Sequence, residues 1–88
     1  MDASEWEWIE GVERTLGVRA GIDDETKRVL LRMTKVTADA TGIRYLAPLT
    51  AYVFGRAAGR AEAVGEPFDL VAAAAAVNEL AEGWVPPG

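Results

Sequence analysis

Apolar residues recur at intervals of three and four along most of this chain, which is the spacing of amphipathic helices. Glycines and prolines divide the pattern into four segments of helix length, and no stretch alternates as a strand would. The predicted helices cover residues 4–16, 24–41, 48–64 and 69–83, and a short Pro/Gly tail follows at 85–88. Short connections favour antiparallel neighbours. The pattern therefore predicts an all-α fold: a small antiparallel four-helix bundle in a single domain.

Residues typical of helix termini stand at the ends of these segments. The candidate N-caps are Ser4 or Asp2, Asp23, and Asp69. Gly17 is placed to end the first helix in a left-handed conformation. Pro48 is predicted at the first helical position of the third segment, where its missing N–H leaves no hydrogen bond unmade.

The third segment is apolar on nearly every side, which is typical of a helix in the middle of a bundle. Small residues stand four apart along it: Ala47, Ala51, Gly55, Gly59 and Ala63. A glycine inside a helix costs about 1 kcal/mol relative to alanine. We therefore expect Gly55 and Gly59, with Pro48, to set the packing of this helix against another backbone. Simple alanine and glycine bias is the alternative explanation.

Three tryptophans lie near the two ends of the chain. Trp8 and Trp84 fall on the apolar stripes of the first and last helices, so we expect both to be core residues. Trp6 lies at the edge of its stripe and could instead anchor a partner.

Composition excludes several classes of chemistry. The chain has no His and no Cys, which rules out Ser-His-Asp and Cys-His nucleophiles, Cys/His zinc sites and disulfides. Helix capping accounts for the acidic run at residues 23–25, which lacks the ligand spacing of a calcium loop. We expect no enzymatic activity, no metal site and no cofactor.

Charge is distributed unevenly along the chain. The net charge of −5 divides into −5 for residues 1–13, +5 for 14–60 and −5 for 61–88. Within the middle part, Arg56 and Arg60 stand one helical turn apart and repel each other unless an anion joins them. That anion could be a carboxylate of this chain, such as Glu62 or Glu66, or a carboxylate or phosphate of a partner. The candidate surface for an anionic or acidic partner comprises Arg44, Tyr45, Arg56 and Arg60.

Other partners are less consistent with the sequence. An overall negative charge and scattered basic residues argue against nucleic acid. The longest apolar run, at residues 70–77, is far shorter than a membrane span, and the acidic start does not resemble a signal peptide. We expect a cytoplasmic protein that is a monomer or a weak homodimer.

Residues 44–59, RYLAPLTAYVFGRAAG, resemble the signature of a small bacterial family of helical domains of unknown function. The specific parts of this resemblance are Arg-x-x-Ala-Pro-Leu-Thr and the Gly-x-x-x-Gly that follows it. Members of that family occur alone or fused to the guanylyltransferase that makes molybdopterin guanine dinucleotide. The resemblance implies a role in molybdenum-cofactor biosynthesis, with the catalytic machinery in a guanylyltransferase partner.

Together these features predict a non-catalytic accessory or protein-interaction module. Two alternatives remain at this stage. The domain could bind a small anionic nucleotide or pterin, or it could be a structural homodimer in which Trp6, Leu31 and Val71 cover one another.

Overall fold

The structure, a computed structural model, describes residues 2–87 and contains four α-helices in that range. They are α1 (Ala3–Leu16), α2 (Asp24–Thr41), α3 (Leu46–Ala63) and α4 (Leu70–Glu82). No strand occurs among these residues. The prediction of an all-α, four-helix domain is confirmed, and each observed helix end lies within two residues of the predicted one.

Aspartates cap three of the four helices, as the sequence predicts. At α1 the Asp2 carboxylate accepts from the Glu5 N–H at 2.9 Å, and the Glu5 carboxylate accepts from the Asp2 N–H at 3.2 Å. The side chains of Asp23 and Asp69 each accept a hydrogen bond from the backbone N–H three residues on. These bonds satisfy N–H groups that have no acceptor within the helix. Of the two candidates at the first helix, Asp2 is therefore the cap.

Glycines end the first two helices. Gly17 has φ 71° and Gly42 has φ 72°, and the N–H of each caps its helix. Only glycine adopts this left-handed conformation without strain from a Cβ. The predicted end of α1 at Gly17 is confirmed.

The start of α3 differs from the expectation for Pro48. The helix begins at Leu46, so the proline is its third residue rather than its first. Tyr45 precedes the helix and forms no side-chain capping bond. The first N–H groups of any helix lack an acceptor one turn back, so a proline is tolerated throughout the first turn.

The core forms where α2 packs against both α3 and α4. Met33 of α2 is fully buried and contacts the buried Phe54 of α3 and Ala74 of α4. Phe68, just before α4, meets Phe54 edge to face with ring centroids 5.4 Å apart. Partly buried side chains complete the cluster: Val29, Leu30, Phe68, Leu70, Ala73 and Val77. The middle helix of the core is α2.

The first helix contributes nothing to this core. No residue of α1 is buried, and its packing against the other helices is slight. Trp8 is 72% exposed and Trp84 is 47% exposed, so the prediction that both are core residues is wrong. Their stripes have the right periodicity, but the body formed by α2, α3 and α4 does not cover them.

One ion pair joins α1 to α2. The Lys27 Nζ lies 2.9 Å from the Glu5 Oε2. This contact holds the pKa of Glu5 below its ordinary value of 4.5, helped by the hydrogen bond from the Asp2 backbone. It also raises the pKa of Lys27 above 10.5. Both groups are at the surface, where ion pairs contribute little.

Shortening the central core side chain should be costly. We expect Met33→Ala to lose about 2–5 kcal/mol of stability, because it removes a fully buried side chain and leaves a cavity. Leu31→Ala is the control: it lies in the same helix, is 58% exposed, and should change stability by no more than about 0.5 kcal/mol. Urea unfolding followed by circular dichroism measures both. Equal losses would contradict this account of the core.

The ion pair between Glu5 of α1 and Lys27 of α2 should weaken in acid. The folded-state pKa of Glu5 is lowered, so its stabilisation is present above the unfolded pKa and is lost as the pH falls through the folded pKa. Urea midpoints of the wild type should therefore drop more steeply below about pH 4.5 than those of Lys27→Met. Tryptophan fluorescence suits this measurement, because Trp6 and Trp8 lie on α1.

Lys35→Met serves as the control for that experiment. It also removes a cation from α2, but the partner of Lys35 is Asp39 in the same helix, 3.0 Å away. The urea midpoint of Lys35→Met should depend on pH in the same way as that of the wild type. If Lys27→Met also matches the wild type, the ion pair does not hold α1.

Candidate functional site

One side of α3 points away from the core and is both apolar and cationic. We call this surface the α3 face; it comprises Leu49, Tyr52, Val53, Arg56 and Arg60, all of them exposed. At 100° per residue these positions fall within one arc of the helix, opposite the half-buried small residues that meet α2. The predicted pair Arg56 and Arg60 thus lies beside three large uncovered side chains.

Arg56 is held against the helix surface by Tyr52. Its Nη1 donates to the Tyr52 hydroxyl at 3.4 Å, and its guanidinium carbon lies 6.0 Å from the centre of the ring. Arg60 follows one turn later, about 6 Å along the helix axis. The remaining donors of both guanidinium groups are free to meet acceptors from outside.

No carboxylate of the described residues neutralises these arginines. The ion pairs found between residues 2 and 87 join Arg14 to Glu10, Lys27 to Glu5 and Lys35 to Asp39. None of them involves Arg44, Arg56 or Arg60, and Glu62 and Glu66 do not supply the expected partner. The repulsion between Arg56 and Arg60 is therefore not relieved within the described chain.

The four residues predicted as one surface do not converge. Arg44 and Tyr45 lie exposed in the turn before α3. Arg60 stands 14 residues beyond the start of the helix, which is about 21 Å along its axis. The structure brings Arg56, Arg60 and Tyr52 together and leaves Arg44 at the far end. Such a spread suits an extended partner better than one small anion.

Gly55 and Gly59 do not lie at a helix crossing. Both are exposed, and a Cβ built on either would meet no atom within 4 Å. The expectation of close packing at these glycines is therefore wrong within the described structure. Residues four apart advance 40° around a helix, so the row that starts at the half-buried Ala47 and Ala51 has turned to the outside before Gly55.

A groove between α3 and α4 was not anticipated from the sequence. Its volume is about 490 Å³, and its lining is almost entirely apolar. Leu49 and Val53 form one side, and Leu80 and Trp84 form the other. The remaining lining residues are Thr37, Thr41, Leu46, Thr50, Phe54, Ala57, Phe68, Ala73, Val77 and Ala81. The apolar pattern on all sides of α3 is the signal for this groove, but that pattern predicts a helix in the middle of the bundle, a position that α2 has instead.

Thr37 lies at the bottom of this groove. It is 5% exposed, and its hydroxyl oxygen is buried without a hydrogen-bond partner among the described atoms. Its backbone carbonyl accepts from the Thr41 hydroxyl at 2.7 Å. The groove therefore offers an apolar surface with few exposed polar groups.

A second depression, of about 660 Å³, lies between α1 and the connection that follows it. Three of its four charged residues have local partners: Glu10 faces Arg14 at 4.0 Å, and the Glu13 carboxylate accepts from the Ala20 N–H at 2.6 Å. The bond from Ala20 folds the connection back onto α1. The fourth, Arg19, has no ion pair among the described residues.

Two further features are absent from the part of the chain that the structure describes. No three acidic, His or Cys side chains lie close enough to hold a metal ion. None of its helices combines the length and apolar character needed to cross a membrane.

Comparison with known proteins identifies the family. A family model described as a domain of unknown function, DUF6457, matches residues 2–88. The chain belongs to the DUF6457 family. No curated protein and no solved structure matches the chain. The resemblance seen in residues 44–59 is thus correct as to a family of unknown function, while nothing in the DUF6457 description links it to guanylyltransferases.

Because a Cβ at Gly55 or Gly59 would lie in open space, replacing either glycine with alanine should raise the stability of the fold. Gly55→Ala and Gly59→Ala should each stabilise this DUF6457 domain by about 0.5–1 kcal/mol, because alanine narrows the unfolded ensemble and fits the helix. Gly42→Ala is the control: it also has open space, but its φ is 72°, so it should destabilise by about 1 kcal/mol. Thermal and urea unfolding measure all three. Destabilisation at Gly55 or Gly59 would show that something packs there.

Proposed function

We propose that this DUF6457 domain is a non-catalytic protein-interaction module and that its α3 face receives an acidic partner protein. One observation supports the proposal above all. Arg56 and Arg60 are exposed a turn apart, lack a carboxylate from the described residues, and stand beside the exposed Leu49 and Val53. Arginine and aromatic residues next to apolar surface are typical of protein interfaces.

A small anionic ligand is less well supported. Nucleotide and pterin sites enclose most of their ligand and place several polar groups around it. Arg56 and Arg60 instead lie on an open helix surface, and Arg44 lies in the turn before that helix, whose first residue is about 21 Å from Arg60 along the axis. The nearby groove is apolar and offers few hydrogen-bonding groups.

The partner we propose is the molybdopterin-guanine-dinucleotide guanylyltransferase. Only the resemblance of residues 44–59 suggests it, and the family description gives no function. In this proposal the domain acts as an accessory in molybdenum-cofactor biosynthesis and leaves catalysis to the partner. A cytoplasmic location is part of the same prediction.

Charge reversal on α3 tests the proposed surface. In titrations with the guanylyltransferase, the double variant Arg56→Glu, Arg60→Glu should bind at least about tenfold more weakly, which corresponds to about 1.4 kcal/mol. The loss should grow as the salt concentration falls, because the contacts are at the surface.

The matched control is the double variant Arg28→Glu, Arg32→Glu. These arginines are also exposed and four residues apart, but they lie on α2, so the net charge changes equally. Binding should stay near the wild-type level. Equal losses in both variants would mean that only total charge matters, and no binding by the wild type would reject this enzyme as the partner.

A further inference from the structure

The first helix carries an apolar face that the described structure covers only in part, because Ile9 and Val12 are half-buried. Trp8 is 72% exposed and Leu16 is 68% exposed, and both lie on the apolar side of α1. No residue of α1 is buried, and the salt bridge from Glu5 to Lys27 is its one side-chain bond to another helix among residues 2–87. An amphipathic helix in this state lacks part of the surface that normally stabilises it.

The α3 side of the groove between α3 and α4 matches the apolar side of α1 in length. None of its lining residues comes from α1. Along its α3 wall, Leu49 and Ala57 are eight residues apart, which is about 12 Å. On α1, Trp8 and Leu16 have the same separation of about 12 Å. Both surfaces are apolar over matching lengths.

Charge also favours this pairing. Between Ala3 and Leu16, α1 has four glutamates and one arginine, a net charge of −3. Glu7 has no partner among the described residues, whereas Glu5, Glu10 and Glu13 have partners within the chain. The α3 side of the groove is bordered by Arg56 and Arg60, which have no carboxylate partner among the described residues. On the α4 side the groove presents Leu80 and Trp84. An acidic amphipathic helix fits this arrangement better than a basic or neutral one.

We propose that two copies of the chain associate reciprocally, with α1 of each copy lying in the α3–α4 groove of the other. A twofold arrangement makes every contact twice, which helps a short helix reach the roughly 800 Å² per partner of a typical stable interface. The occupant is thus a second copy of this chain. The association does not depend on the guanylyltransferase and goes beyond the proposed interaction with it.

Sedimentation velocity on the full chain tests the association. From roughly 10 µM to 1 mM the wild type should shift from monomer towards dimer. Trp8→Glu on α1 and Val53→Glu in the groove should each remain monomeric over that range. Both positions are exposed, so circular dichroism and melting should show that the variants keep the wild-type fold. A wild type that stays monomeric throughout overturns the proposal.

Leu31→Glu is the matched control, because Leu31 is an exposed leucine of α2 that does not line the groove. This variant should dimerise like the wild type. If it becomes monomeric while Trp8→Glu still dimerises, the copies meet through another surface and the proposal is overturned.

Mixing the two monomeric variants tests reciprocity. The Trp8→Glu copy keeps an intact groove, and the Val53→Glu copy keeps an intact α1, so one contact of the two can form. The mixture should give a heterodimer that is weaker than the wild-type dimer, while each variant alone stays monomeric. Absence of a heterodimer, or a dimer of Trp8→Glu alone, overturns the exchange of α1.

The tests of self-association and the tests of guanylyltransferase binding can give different outcomes. Trp8 lies outside the α3 face, so its substitution tests self-association without altering Arg56 or Arg60. A monomer that binds the guanylyltransferase overturns the exchange and leaves the interaction module intact. If the wild type dimerises but neither it nor the monomeric Trp8→Glu variant binds the guanylyltransferase, the exchange is supported and that partner is rejected.

Discussion

The contact of Met33 with Phe54 and Ala74 is the interaction on which the rest of the structure depends, because it is where α2, α3 and α4 meet. Between residues 2 and 87, three of the five buried apolar residues are alanines: Ala61, Ala74 and Ala81. Alanines let helices approach closely but fill little volume. A core of this kind encloses few large side chains. Leu49, Val53, Leu80 and Trp84 consequently remain outside and form a groove.

The acidic and cationic segments of the sequence are paired only in part in the folded chain. The acidic start of the chain and its cationic middle meet through two ion pairs among residues 2–87, Glu5 with Lys27 and Glu10 with Arg14. Only the first of these pairs joins two helices. The arginines of the α3 face do not take part. The arginines on α3 thus have no carboxylate partner among the described residues, although the segments on both sides of residues 14–60 are acidic. This makes α3, rather than the acidic termini, the surface on which the proposed function depends.

Local features could be predicted because they depend on neighbours in sequence. A capping aspartate bonds to an N–H three residues away, and a terminal glycine needs only its own left-handed conformation. The helix ends were therefore predictable within two residues. The error at Pro48 has the same origin, since a proline is equally acceptable anywhere in the first turn. The candidate residues Arg56 and Arg60 were also found from local spacing.

The sequence by itself determined the four helices, the aspartate caps of three of them and the positions of their apolar residues. Only the tertiary structure decided which of those faces would be covered. Trp8 and Trp84 have core-like periodicity, yet α2, α3 and α4 enclose neither. Gly55 and Gly59 stand in a row of small residues that turns away from α2 as it advances. Periodicity specifies that a helix has an apolar side, whereas burial depends on the shape and volume of what the other helices present.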